Sequence, residues 1–215
     1  MRVGILGTGV VGKTLATKLA KLGNDVKMGS RKAGGEKATG WVKQTGERST
    51  EGTFADAAAH GEIVFNCTSG MASLEALNSA GARNLEGKTL VDVSNPLDFS
   101  KGMPPTFTVC NTDSLGEQIQ RAFPTAHVVK SLNTVTAAVM VEPSIIPGVH
   151  DMFVSGNDVK AKAQVINLLK TGFGWKEVID LGDIKAARAQ EMHLALWAGL
   201  YMKLQTPNVN VHVTR

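Results

Sequence analysis

The sequence predicts a doubly wound α/β fold: a mostly parallel sheet with helices on both faces and a small C-terminal helical appendage. Three observations carry that expectation. Short apolar runs alternate with amphipathic ones along the chain, with Gly, Asn, Asp or Pro at the switches. The intervals between runs leave room for the helical crossover of roughly a dozen residues that parallel pairing requires. The runs are also nearly continuous in apolar residues, as strands are when both faces of their sheet are covered.

Arg2 to Leu6 reads as the first strand and Lys13 to Leu22 as a helix, with Leu15, Leu19 and Leu22 on one face and Gly23-Asn24 as its stop. Asp25 to Met28 is the second strand, and a polar stretch from Ala33 leads into a weak helix through Val42. A short helix, Phe54 to His60, precedes a strand from Glu62 to Thr68 rich in Ile, Val and Phe. Met71 to Ala80 is a helix and Thr89 to Val93 a strand, followed by the loop Ser94-Asn95-Pro96. Ser114 is the expected N-cap of a helix through Phe123, with Glu117 as its capping-box partner. His127 to Leu132, Met152 to Ser155 and Glu177 to Asp180 are strands, with a helix from Asp158 to Lys170 between the last two. The final helix, Ile184 to Leu204, is the longest.

Composition excludes several classes. At 43% hydrophobic and 20% charged, the 215 residues fit neither a disordered nor a fibrous chain. Lys and Arg number 23 against 19 Asp and Glu, a net charge of +4 that suits an anionic ligand. No basic run exceeds Arg31-Lys32 and only 5% of residues are aromatic, so no nucleic-acid partner is expected. Cys67 and Cys110 lie in or beside apolar segments without CxxC spacing, which predicts buried thiols and no metal site. No segment approaches the roughly 20 apolar residues of a membrane span. The first strand begins at Arg2, leaving no room for a leader, so a soluble cytoplasmic protein with no membrane partner is expected.

Gly7-Thr8-Gly9-Val10-Val11-Gly12 matches G-x-G-x-x-G, directly after a strand and opening a helix. That context makes it the fingerprint of a Rossmann-type dinucleotide site. Gly7 permits the tight turn, Gly9 lets backbone approach a pyrophosphate, and Gly12 lets the helix pack close to the strand. The helix N-terminus then offers N–H groups and partial positive charge to the phosphates. An NAD site usually carries a carboxylate about 20 residues further on. Here the second strand ends in Gly29-Ser30-Arg31-Lys32. A hydroxyl and two cations suit a 2′-phosphate, with Lys37 as a third cation if the Gly34-Gly35 turn folds back, so NADP(H) is expected over NAD(H).

A general acid is harder to find. None of His60, His127, His150, His193 and His212 sits in a catalytic motif, and no Tyr-x-x-x-Lys pair exists. His193 is a candidate by its place on the last helix alone, so the catalytic residues stay unassigned. That helix is apolar around most of its circumference between Leu194 and Met202, which predicts burial on several sides. Trp197, Tyr201 and Met202 are the expected anchors of a homodimer, with packing inside one chain as the alternative. Residues 1–183 are read as the NADP-binding domain and 184–215 as a helix and tail packing into the core or the dimer.

The glycine fingerprint, Gly29-Ser30-Arg31, Val93-Ser94-Asn95-Pro96, Ser131-Leu132-Asn133-Thr134, and Asp180-Leu181-Gly182 leading to Ala187-Arg188 together resemble the coenzyme F420-dependent NADP oxidoreductase family in order and spacing. The cytoplasmic domain of STEAP-type metalloreductases is similar too. The resemblance implies hydride transfer between NADP(H) and an F420-type deazaflavin or a flavin ring. Such cofactors carry the chemistry themselves, which fits the missing acid. It also implies that Thr8 to Val11, Ser30 and Arg31 hold the NADP phosphates. Thr68 with Ser69, Asn95 with Pro96, and Ala137 would lie near the ribose and nicotinamide, and Asn133 and Thr134 would border the second ring. The chain departs from the archaeal F420 enzymes at Asn133 and Thr136, where they carry His and Pro. Two alternatives stay open: a reductase of small carbonyls or imines, for which the residues after Asp183 would have to supply a substrate domain by dimer exchange, and a non-catalytic NADP sensor.

Overall fold

The computed structural model describes residues 1–214. One sheet runs in the order β3 (Ser49–Thr53), β2 (Asp25–Ser30), β1 (Arg2–Leu6), β4 (Ile63–Asn66), β5 (Thr89–Asp92), β8 (His127–Ser131), β9 (Asp151–Gly156) and β10 (Glu177–Asp180). All neighbours are parallel except β8 and β9. From β3 to β8 this is the order of a doubly wound dinucleotide-binding sheet, whose ligand crevice lies beyond the carboxyl ends of the strands where the order reverses, here between β1 and β4. The remaining pair, β6 (Leu97–Asp98) and β7 (Thr106–Phe107), forms a small hairpin in the excursion after β5.

Side-chain alternation along the strands builds two cores. Val3, Ile5, Ile63, Phe65, Val91 and Val129 pack with helices α1 (Val10–Lys21), α2 (Glu36–Thr45), α7 (Ala137–Val141) and α8 (Val159–Asn167). Leu6, Val64, Leu90 and Val128 pack with α3 (Phe54–His60), α4 (Ser73–Ala80), α5 (Ala82–Leu85), α6 (Leu115–Ala122) and the start of α9 (Ala187–Leu204). Gly4 in β1 lets α3 settle on the sheet, because a Cβ there would lie 2.3 Å from the Ala57 carbonyl oxygen.

Several details differ from the sequence reading. The edge strand β3 carries no apolar run, only Ser, Thr, Glu and Gly, so periodicity does not reveal it. β9 runs antiparallel to β8, and the connection holds the five-residue α7, packed against α1, and a 3-10 turn at Pro143–Ile145 in place of a full crossover helix. Leu22 is exposed, just past the end of α1, while Leu15 and Leu19 are fully buried. The helix expected through Lys170 leaves α geometry after Asn167, continues as a π-helical turn to Phe173 and ends at Gly174 with φ +87. Ser114 caps α6 by accepting the Glu117 N–H at 3.2 Å, but the Glu117 carboxylate bonds the Ser114 hydroxyl and Arg188 and does not reach back to the Ser114 N–H.

A buried ionic triad fastens the C-terminal helix to the central strands of the sheet. Lys130 of β8 is completely buried, and its Nζ lies 2.8 Å from Asp92 Oδ2 on β5 and 2.8 Å from Glu191 Oε1 on α9. Burial alone would lower the ammonium pKa, but the two carboxylates outweigh it, so the net direction is up and Lys130 stays charged. Glu191 also accepts the Leu115 and Gly116 N–H groups at 2.9 and 3.0 Å, supplying negative charge where the N-terminus of α6 favours it. Asp92 accepts in addition from Asn66 Nδ2 at 2.9 Å and Ser94 Oγ at 2.6 Å. Lys130→Ala would leave two carboxylates buried without their cation, and equilibrium unfolding in urea should show a loss of about 3–5 kcal/mol. A loss near zero would show that the triad does not hold the fold.

Candidate functional site

The turn between β1 and α1 is shaped by contacts that only glycine permits. Gly7 has φ +121, a Cβ there would meet the Cys67 carbonyl oxygen at 2.7 Å, and its N–H donates to Gly29 O at 3.0 Å. A Cβ on Gly12 would lie 2.2 Å from Gly7 O, so this residue sets how closely α1 approaches the turn. Gly9 differs: its φ is −73, nothing lies within 4 Å of its missing Cβ, and it caps α1 without a side-chain bond. The first N–H groups of α1 are therefore available to an anion in the open space beside Gly9.

That space belongs to a cavity of about 850 Å³. Gly7, Thr8 and Gly9 form one end, Ser30, Arg31, Lys32 and Lys37 a second wall, and Thr68 and Ser69 a third. Among the described residues, none of Arg31, Lys32 and Lys37 has a carboxylate within ion-pairing distance. The lining also holds Glu36 and Glu75, so the three cations outnumber its carboxylates by one, a balance that suits an anionic ligand. Lys37 reaches it because the chain turns back at Gly34, φ +77, into α2.

Thr68 is held from below. Its hydroxyl donates to Asn66 Oδ1 at 2.6 Å and lies 2.9 Å from Ser73 Oγ, while Asn66 Nδ2 reaches Asp92 at 2.9 Å. The cavity wall is thus connected by hydrogen bonds to the buried triad.

Other expected residues lie apart from this cavity. Val10 is exposed on the outer side of α1, Val11 packs towards the core, and Gly12 is buried. Asn95 and Asn133 join the loops after β5 and β8: Asn95 Nδ2 donates to Asn133 O at 2.8 Å, and Asn133 Nδ2 donates to Asn95 Oδ1 at 2.9 Å and to Gln190 O of α9 at 3.1 Å. Asn133 Oδ1 and Thr134 Oγ1 are buried without a protein partner, as is Thr136 Oγ1. Pro96 follows Asn95 against Gly70, where a Cβ would lie 1.9 Å from Asn95 O, and Ala137 opens α7. The structure therefore brings the expected residues into two groups, one lining the cavity and one at the loops following β5 and β8.

Sequence reasoning missed several participants. Cys67 lines the cavity, and burial pushes its thiol pKa up, with Asp92 adding to the effect, so it is a protonated wall and not a nucleophile. Cys110 is exposed, against expectation. Glu36 of α2 and Ala72, Glu75 and Ala76, beside or in α4, also line the cavity and carry no motif that would reveal them. His193 lies outside the cavity lining, 6.3 Å from the Phe153 ring centroid, and desolvation lowers its pKa, which favours the neutral imidazole. Of the two expected ways of burying the end of α9, packing inside one chain is not seen: Leu196, Tyr201, Met202 and Leu204 are exposed, and Trp197 stacks on Tyr201 with centroids 5.5 Å apart.

The sequence profile described as NADP oxidoreductase, coenzyme F420-dependent, matches residues 2–96. A solved structure from Arthrobacter sp. FB24, described as a candidate F420-dependent NADP-reductase, is 50% identical, superimposes with a TM-score of 0.95, and the match covers 100% of both chains. The chain belongs to the coenzyme F420-dependent NADP oxidoreductase family. As a family member it is an NADP-dependent oxidoreductase, and NADP(H) is its nucleotide cofactor. The metalloreductase STEAP3 of Rattus norvegicus is 28% identical over 197 residues, which are 88% of this chain but 36% of the metalloreductase, so the chain spans about a third of that relative. An imine reductase from Aspergillus terreus, in complex with NADPH4 and dibenz[c,e]azepine, shares the fold at 21% identity and a TM-score of 0.67, covering 95% of this chain and 62% of that one. No helix among the described residues is long and apolar enough to cross a membrane, and no cluster of three or more potential metal ligands occurs among them.

The glycines separate folding from binding. Gly12→Ala forces a clash with backbone and should cost about 1–3 kcal/mol in urea unfolding. Gly9→Ala fits its backbone and should leave stability unchanged, yet weaken NADPH binding in a fluorescence titration by filling the space beside the helix N-terminus.

Proposed function

We propose that this protein transfers hydride between the nicotinamide of NADP(H) and a flavin or F420-type deazaflavin ring. The observation that carries the reading is the pair of buried, unpartnered polar atoms, Asn133 Oδ1 and Thr134 Oγ1, on the loop that Asn95 ties to the end of β5. Buried polar atoms without partners are rare, and their position beyond the carboxyl ends of the strands suits a ligand that supplies the missing bonds.

In this reading residues 1–183 form the NADP-binding unit. The N-terminus of α1 binds the pyrophosphate, Ser30, Arg31, Lys32 and Lys37 surround the 2′-phosphate, and Thr68 with Ser69 borders the ribose. Asn95, Pro96 and Ala137 flank the nicotinamide, while Asn133 and Thr134 hydrogen-bond the polar edge of the second ring. When bound, the two cofactors supply the hydride donor and acceptor; the protein's part is to hold the rings at contact distance and to exclude water. The proton that the reduced ring takes up on nitrogen would come from solvent at its exposed edge, so no side chain needs to act as a general acid, which agrees with the neutral His193 lying outside the cavity.

Following absorbance at 340 nm with NADPH and either F420, FMN or a panel of carbonyls and imines tests the acceptor. Oxidation with a ring cofactor and none with the panel is expected; turnover with carbonyls or imines alone would replace this reading with a reductase of small substrates. Arg31→Ala should weaken NADPH about tenfold or more and leave NADH nearly unchanged, since a charge-assisted bond to phosphate contributes roughly 1.5–3 kcal/mol.

The exposed apolar side chains of α9, Leu196, Tyr201, Met202 and Leu204, support a homodimer through this helix. Sedimentation equilibrium should give a dimer for the native chain and a monomer for the Leu196→Asp, Met202→Asp double variant. A native monomer would rule the dimer out.

A further inference from the structure

The loop that carries the cations is itself held by a carboxylate from the edge strand. Glu51 lies on β3, in register opposite Met28 of β2, and so sits just before the point where β2 ends and the loop begins. Its two oxygens both accept the Gly34 N–H, at 3.1 and 3.0 Å. Gly34 is the residue at φ +77 that turns the chain back towards Lys37. The near end of the same loop is pinned by Ser30, whose hydroxyl donates to Lys32 O at 2.6 Å. Beyond it, Gly35 caps α2 with no side-chain bond. Thr39 of α2 itself bonds the Gly35 carbonyl at 3.2 Å, so Glu51 is, among the described residues, the one side chain from outside the loop and α2 that bonds the backbone between Lys32 and the first turn of α2.

This arrangement is unfavourable on charge grounds alone. A carboxylate near a wall meant for a phosphate repels the ligand, and an uncharged acceptor would avoid that cost. We infer that Glu51 is a positioning residue for NADP selectivity: it fixes the Gly34 turn, and through it sets Arg31, Lys32 and Lys37 around the 2′-phosphate. The inference rests on the reading of that wall as the 2′-phosphate site.

Removing the tether frees the loop and disperses the cations, which matters only to a ligand carrying the 2′-phosphate. Dissociation constants for NADPH, NADH and 2′,5′-ADP are to be measured for the full chain, Glu51→Ala and Glu51→Gln, with thermal unfolding of each. Glu51→Ala should weaken NADPH and 2′,5′-ADP about tenfold and leave NADH within about twofold. Glu51→Gln keeps an oxygen for the Gly34 N–H and removes the charge, so it should bind NADPH at least as tightly as native protein. The role of Glu51 is overturned if Glu51→Ala binds NADPH as tightly as native protein or tighter, if it weakens NADPH and NADH alike, or if Glu51→Gln is as impaired as Glu51→Ala. Native protein that binds NADH as tightly as NADPH overturns the 2′-phosphate reading itself, and the selectivity role with it.

Discussion

Lys130 places a cation where water does not reach, and it must be neutralised there by groups from distant parts of the chain. Asp92 comes from β5 and Glu191 from α9, and Glu191 simultaneously closes the start of α6. Taking charges out of water costs several kcal/mol per ion unless each is closely paired, so the triad tolerates few alternative arrangements. It therefore fixes α9 against the sheet, and with it the residues of α9 that reach the loops. Gln190, next to Glu191, bonds the Lys130 and Phe153 carbonyls at 3.2 Å each and offers its own carbonyl to Asn133.

The consequence for function is a rigid floor under the open ends of the strands. Asp92 bonds Asn66 and Ser94; Asn66 holds Thr68, and the residue after Ser94 is Asn95. Both groups of candidate ligand-binding residues are therefore suspended from one buried charge cluster. Reactions between two flat cofactors depend steeply on the distance and orientation of the rings, and a floor of this kind supplies what the protein must contribute. The cation wall is built differently: it sits on a loop near the sheet edge, held by Ser30 and Glu51, and contributes charge more than rigidity.

Much of this is legible in the sequence, for physical reasons. Strands buried on both faces must be apolar throughout, so β1, β4, β5 and β8 stand out, and Gly7 to Gly12 declare the turn because no other residue fits at Gly7 and Gly12. Gly29-Ser30-Arg31-Lys32 shows by its lack of a carboxylate which nucleotide to expect. The parts that stay hidden are polar elements whose partners are remote. β3 has no hydrophobic pattern, and the antiparallel β9 follows a connection that holds only short helical turns. The triad leaves a trace that can be read afterwards: Asp92 and Lys130 interrupt otherwise apolar strands, and a charge in such a place must have a partner. Its third member, Glu191, lies some sixty positions away, and nothing local connects it to them. Glu51 is hidden for the same reason, since its contact with Gly34 exists only once β3 has joined the sheet.

In the proposed function, hydride passes directly from nicotinamide to a second ring held by this fold. Transfer of label from NADPH deuterated at the reactive nicotinamide position to F420, read by mass spectrometry in ordinary water, tests it most directly. Direct passage predicts deuterium retained on the carbon of the reduced deazaflavin, from one face of the nicotinamide only. Deuterium lost to water, or NADPH oxidised without reduction of the ring, would contradict it.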